Sequence, residues 1–127
     1  MGATLAAQQI DKLAAASQVD NFVGIAGAFL GLKNCGYYPF NVWSSTCGSA
    51  GLSVYNPFLD SIYTVPLGEK VYSIKSYIDQ IVCSTGSCNV GGVHSSRIAN
   101  EDATFTYALG HFGLQTDTAV KQYQLIQ

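Results

Sequence analysis

Charge is what this chain has least of. Asp, Glu, Lys and Arg make up 11% of its 127 residues, against about a quarter in an ordinary soluble domain. The formal net charge is −2, with only six basic side chains. Bulk electrostatics therefore cannot hold a nucleic acid, and any such partner would depend on a few well-placed lysines. Long apolar runs are missing too. The best candidate, residues 22–32, is interrupted by Gly24, Gly27 and Gly31 and is too short for a bilayer. Asp11, Lys12 and Asp20 break up any secretory signal. Ala6 stands where myristoylation needs Ser or Thr. An unprocessed chain without a membrane partner is the expectation. There is no N-x-S/T sequon, no C-x2-C zinc pair, no phosphate loop and no G-x-S-x-G nucleophile elbow.

What the chain does have is apolar residues, at 48%, and four cysteines. A charge-poor chain of this kind suits a subunit with much of its surface covered, or a small secreted protein. Cys35, Cys47, Cys83 and Cys88 can pair in three ways. Their spacings of x11 and x4 do not make a good zinc site. No cofactor or metal is called for. The length and the lack of repeats or linkers predict one domain over residues 1–127, helical over 1–32 and mainly antiparallel strands over 37–127.

Residues 3–17 read as a helix with Leu5, Ala6, Ile10, Leu13 and Ala14 on its apolar face. A second helix is expected up to Leu32, because Phe22, Ile25, Phe29 and Leu32 recur at helical spacing; Ser17 or Asp20 would cap it. Residues 37–44 are aromatic and β-prone, with Pro39 marking an edge or kink. Short strands are expected at 52–56 and 59–65, with a turn at Asn56-Pro57 between them. Val71–Val82 fits either period; its isoleucines and tyrosines favour a strand. Ala103, Phe105 and Tyr107 alternate with Thr104 and Thr106, a clearer strand. The tail from Thr116 reads as a strand or an amphipathic helix.

Between Tyr72 and Tyr107 a set of features stands out. Tyr72-Ser-Ile-Lys-Ser-Tyr-Ile-Asp79-Gln80 leads into Cys83-Ser-Thr-Gly-Ser-Cys88. Val93-His-Ser-Ser-Arg-Ile-Ala-Asn-Glu-Asp102-Ala-Thr-Phe-Thr-Tyr107 follows. This stretch resembles the coat proteins of small single-stranded RNA bacteriophages. The resemblance implies an α+β fold: an antiparallel sheet with two helices packed on a partner subunit's sheet. It implies a structural, non-enzymatic subunit that dimerises and assembles into an icosahedral shell around single-stranded RNA, with hairpin recognition as a further role. The place of action would be the virion, assembled in the bacterial host cytoplasm, with no small-molecule substrate. Helical sequence comes first here and last in that family, so the match requires a circular permutation.

On the same resemblance, Ser73, Lys75 and Tyr77, with Ile98 and Asn100, would face RNA: lysine on phosphate, tyrosine on an unstacked base. The alternative is a solvated sheet face. Cys83 and Cys88 either close a local loop, provided their Cα atoms come close enough, or cross-link neighbouring subunits, as the resemblance implies. Cys35 and Cys47 are equally open to a mutual bond or free thiols. His94 and His111 invite a catalytic set with Cys83, Ser95 or Asp102. Lacking any motif to support one, they are read as surface or packing histidines. The competing function is a small secreted disulfide-containing toxin or effector.

Overall fold

A computed structural model describes residues 1–40 and 44–127. The 41–43 part of the aromatic stretch expected at 37–44 lies outside the described residues. Helix α1 (Gly2–Lys12) leads into strand β1 (Asn21–Ile25). Then follow helix α2 (Pro57–Ile62), strand β2 (Lys70–Lys75), a small hairpin of β3 (Asn89–Val90) and β4 (Val93–His94), strand β5 (Ala103–Thr106), and helices α3 (His111–Thr116) and α4 (Ala119–Leu125).

The main sheet has the order β1-β2-β5 and is parallel throughout. Phe22 pairs with Val71 and Gly24 with Ser73; on the other side Ser73 pairs with Thr104 and Lys75 with Thr106. The antiparallel sheet expected from sequence is thus confined to the two-residue pairs of β3 and β4. Parallel neighbours need long crossovers rather than hairpins. The 44-residue stretch 26–69 and the β3–β4 region supply them.

The second expected helix is instead β1. It runs Asn-Phe-Val-Gly-Ile and is buried or half-buried at every position, as parallel strands covered on both faces are. Gly24 is required by close packing, since a Cβ there would sit 3.0 Å from the Ile98 Cδ1. The strand expected at 59–65 is the helix α2. Asn56 caps it by accepting the Leu59 N–H at 2.9 Å, and Pro57 occupies the first helical position, the arrangement that favours a helix start.

Helix α1 buries Thr4 and Ala7, while Leu5 and Leu13 face solvent, so its inner face is rotated from the one expected. With Phe22, Phe29, Leu59, Ile62, Val71 and Ile98 it forms the core on one side of the sheet. Among the described residues no helix is long and apolar enough to cross a membrane. Two disulfides staple loops: Cys35–Cys47, with Cys35 in this core and Cys47 packed against it, and Cys83–Cys88.

Candidate active site

In a parallel sheet the carboxyl ends of the strands point the same way, and functional groups collect in the crevice outside them. Here β2 ends at Lys75 and runs into a tight loop, 76–83, that is closed by its own side chains. Ser76 Oγ accepts the Ile78 N–H at 3.0 Å; Asp79 Oδ1 accepts the N–H groups of Ile81 and Val82, both at 2.9 Å; and the Cys83 N–H bonds the Asp79 carbonyl. One carboxylate oxygen of Asp79 is consumed in shaping its own loop. The other is aimed outward.

It meets His111, the first residue of α3, which follows the carboxyl end of β5. The His111 Nδ1 lies 2.8 Å from Asp79 Oδ2, with the Asp79 side chain fully buried and that of His111 a quarter exposed. A carboxylate only accepts, so Nδ1 carries the proton, and in the neutral ring Nε2 keeps the lone pair. Gln80 Oε1 accepts the His111 backbone N–H at 2.8 Å, which fixes the residue's main chain beside its ring. A cavity of about 280 Å³ opens at this point, lined by His111, Phe112 and Gln115 and by Ile25 and Ala26 from the carboxyl end of β1. Residues at or just beyond the ends of all three strands therefore meet at His111.

A carboxylate on Nδ1 and a free Nε2 form the orienting and general-base parts of a serine-type triad. Among the described residues no serine lines the cavity beside His111. Among the described residues the one cluster with metal-ligand spacing is Cys83, Cys88 and His94, whose ligand atoms lie within 4.8 Å of one another. Its sulfurs are bonded to each other. The His94 Nδ1 accepts the Ser96 N–H at 3.0 Å and its Nε2 faces the Ser76 carbonyl at 2.9 Å. No ligand atom in that set is free to take a metal while the disulfide stands.

The residues singled out from sequence fall elsewhere. Ser73, Lys75 and Ile98 are buried. Ser73 Oγ and Lys75 Nζ are tied to Thr104 Oγ1, and Glu101 accepts from Ser73 and from the Ile98 N–H. Burial lowers the Lys75 pKa, against the Glu101 carboxylate that raises it. Tyr77 is exposed, and so is Asn100, which bonds the Thr64 carbonyl. These five do not form one face. Cys83 and Cys88 bond to each other within the chain, so the cross-link between subunits gives way to the local loop. Cys35 and Cys47 form the mutual bond. His111, set aside as a surface or packing histidine, is the residue the fold places at the strand ends. Its signal was the pairing of a buried loop aspartate with a histidine further along the chain.

A family model described as Lipase (class 2) matches residues 9–124. No curated protein and no solved structure matches the chain. The match overturns the phage-coat resemblance and what it carried: a non-enzymatic shell subunit and a place in the virion. The toxin alternative gains nothing from it. The region it covers holds both Asp79 and His111, and the chain belongs to the class 2 lipase family.

Proposed function

We propose that these residues form the acid–base half of a serine ester hydrolase. Asp79 orients and stabilises the His111 imidazole, and His111 Nε2 takes the proton of an attacking serine and returns it to the leaving alcohol. The observation that carries this reading is the 2.8 Å contact between Asp79 Oδ2 and His111 Nδ1. Chain order agrees: in α/β-type hydrolases the nucleophile comes first, then the carboxylate, then the histidine.

The nucleophile is the missing member. The sequence holds no G-x-S-x-G, and the outer edge of β1 pairs with no strand among the described residues. A nucleophile elbow is a strand-to-helix turn. A strand docked in parallel on that free edge and leading into α1 would bring its serine to the cavity beside Ile25, Ala26 and His111. Apolar side chains surround the position. Ile25, Ala26 and the exposed Phe112 line the cavity beside His111. That lining favours an acyl ester over a charged substrate.

Hydrolysis of p-nitrophenyl butyrate tests the reading. The bare chain should cleave it no faster than an equal concentration of free imidazole. A protein in which a strand ending in a G-x-S-x-G elbow leads into α1 should cleave it much faster. In that protein His111→Ala should lower the rate by about a million-fold. Hydrolysis that survives His111→Ala would contradict the assignment.

A further inference from the structure

A second histidine bears on the same site without touching it. His94 is buried at the end of β4. Its two ring nitrogens have fixed and different partners. The Ser76 carbonyl only accepts, so Nε2 carries the proton and donates at 2.9 Å. The Ser96 N–H only donates, so Nδ1 is a bare acceptor at 3.0 Å. Both bonds are made only by the neutral imidazole in this one tautomer. The Tyr77 ring packs edge-on against it, centroids 4.8 Å apart.

Ser76 begins the loop that presents Asp79. From Ser76 to Cys83 the loop is closed on itself by the Ser76 and Asp79 side chains. A unit of that kind is rigid inside, yet its aim depends on what holds its ends. At the far end, Cys83 is bonded to Cys88, whose carbonyl accepts the Ser95 N–H at 2.9 Å. At the near end the loop continues β2, whose Lys75 carbonyl accepts the Tyr107 N–H at 2.9 Å, and the side-chain tether there is His94 on the Ser76 carbonyl. Both tethers return to one segment, His94–Ser95. Ser95 is itself anchored, through Oγ on the Gly31 carbonyl at 2.6 Å.

We propose that His94 is a positioning residue for the Asp79–His111 pair: through its Nε2–H bond to the Ser76 carbonyl it sets the angle at which the Asp79 carboxylate meets His111 Nδ1. The proposal rests on the reading of Asp79 and His111 as the acid–base pair. A shift of about 1 Å in such a carboxylate is enough to cost a reaction on the order of a hundred-fold, so the tether matters for geometry more than for its own bond strength.

Two substitutions separate aiming from folding. His94→Asn places Oδ1 near the position of Nδ1, so it keeps the Ser96 N–H bond, but it has no atom that reaches Ser76. His94→Gln reaches Ser76 with its amide N–H and gives up the Ser96 bond. The readout is the exchangeable proton on His111 Nδ1 in the NMR spectrum of the full chain, alongside melting temperature. In wild type it should appear far downfield, as expected for a proton held on a carboxylate. It should persist in His94→Gln and broaden or vanish in His94→Asn, even if the two variants melt at the same temperature. An unchanged downfield proton in folded His94→Asn overturns the proposal. If His94→Asn does not fold, His94→Gln decides: retention of the proton supports the proposal, and its loss in a folded variant overturns it. A wild-type spectrum lacking the proton removes the pair and the proposal together. Failed ester hydrolysis with these NMR results intact removes the hydrolase reading and leaves the positioning role standing.

Discussion

Gln80 accepts the His111 backbone N–H at 2.8 Å, one residue past the carboxylate that holds the same histidine's ring. Consecutive side chains of one loop thus fix both the main chain and the imidazole of a residue 32 positions away. Gln80→Ala should therefore loosen His111 with little effect on the fold. The bond is exposed, so its loss should cost about 1 kcal/mol or less of stability. A much larger fall in melting temperature would mean that Gln80 holds the α3 region together rather than orienting a ring.

Asp79 serves two purposes, and two substitutions pull them apart. Asp79→Ala strips the acceptor from the Ile81 and Val82 N–H groups and should cost about 1–3 kcal/mol, measured by urea unfolding. Asp79→Asn keeps an oxygen for those amides but turns an N–H toward His111. That forces the proton onto Nε2, the tautomer that cannot accept from a serine. Asn at this position should leave stability nearer to wild type while lowering ester hydrolysis by the serine-bearing protein about ten-thousand-fold. Equal effects of the two substitutions on stability would contradict the loop-shaping role.

Acid should weaken the fold through His94. Its pKa lies below the ordinary 6.5, chiefly because burial penalises the charged ring; the Ser76 carbonyl and Asp79 raise it and Lys75 lowers it. A base whose folded pKa is depressed binds fewer protons folded than unfolded. Stability therefore rises with pH between the folded value and 6.5, and falls as the pH drops through that window. Protonation also removes the acceptor for the Ser96 N–H. His94→Gln should flatten this part of the curve, measured as melting temperature from pH 7 to pH 5. An unchanged slope would place the acid sensitivity elsewhere.

The two disulfides should differ in what they contribute. Cys35–Cys47 spans 12 positions and Cys83–Cys88 spans 5. By loop-closure entropy the first is worth about 3 kcal/mol and the second about 2 kcal/mol. Cys35→Ser with Cys47→Ser should thus lower the unfolding midpoint more than Cys83→Ser with Cys88→Ser. The reverse order would show that the short bridge does more than close its loop.

Much of the fold was legible where local signals agree. The presence of helix α1 was legible, though its period pointed to the wrong face, and β5 was marked by the alternation around Phe105. The tail resolved into α4, one of its two expected forms. What misled were segments whose pattern is set by burial on both sides. In β1, Phe22 and Ile25 stand at a helical interval by coincidence, because a doubly covered strand needs no alternation. Asn56-Pro57 looked like a turn before a strand, whereas a capping asparagine before proline opens a helix. Strand direction was not legible at all, since parallel pairing depends on crossovers that no short window shows.

The site was hidden for a related reason. Asp79 and His111 meet only because β2 and β5 are parallel neighbours whose ends face the same way. Read as an antiparallel pair, those ends fall on opposite sides of the sheet. Lys75 looked like a phosphate ligand because lysines are seldom buried. The Thr104 hydroxyl and the Glu101 carboxylate that accommodate it lie far along the chain.

The proposed role of His111 as a base requires its proton on the nitrogen that faces Asp79. The most direct measurement is the tautomer of the His111 ring, read from its nitrogen chemical shifts in the full chain at neutral pH. The expected result is a protonated Nδ1 bonded to Asp79 and an unprotonated Nε2, with the Nδ1 proton lost from its downfield position in Asp79→Ala. A ring protonated on Nε2 instead, or one indifferent to Asp79→Ala, would contradict it.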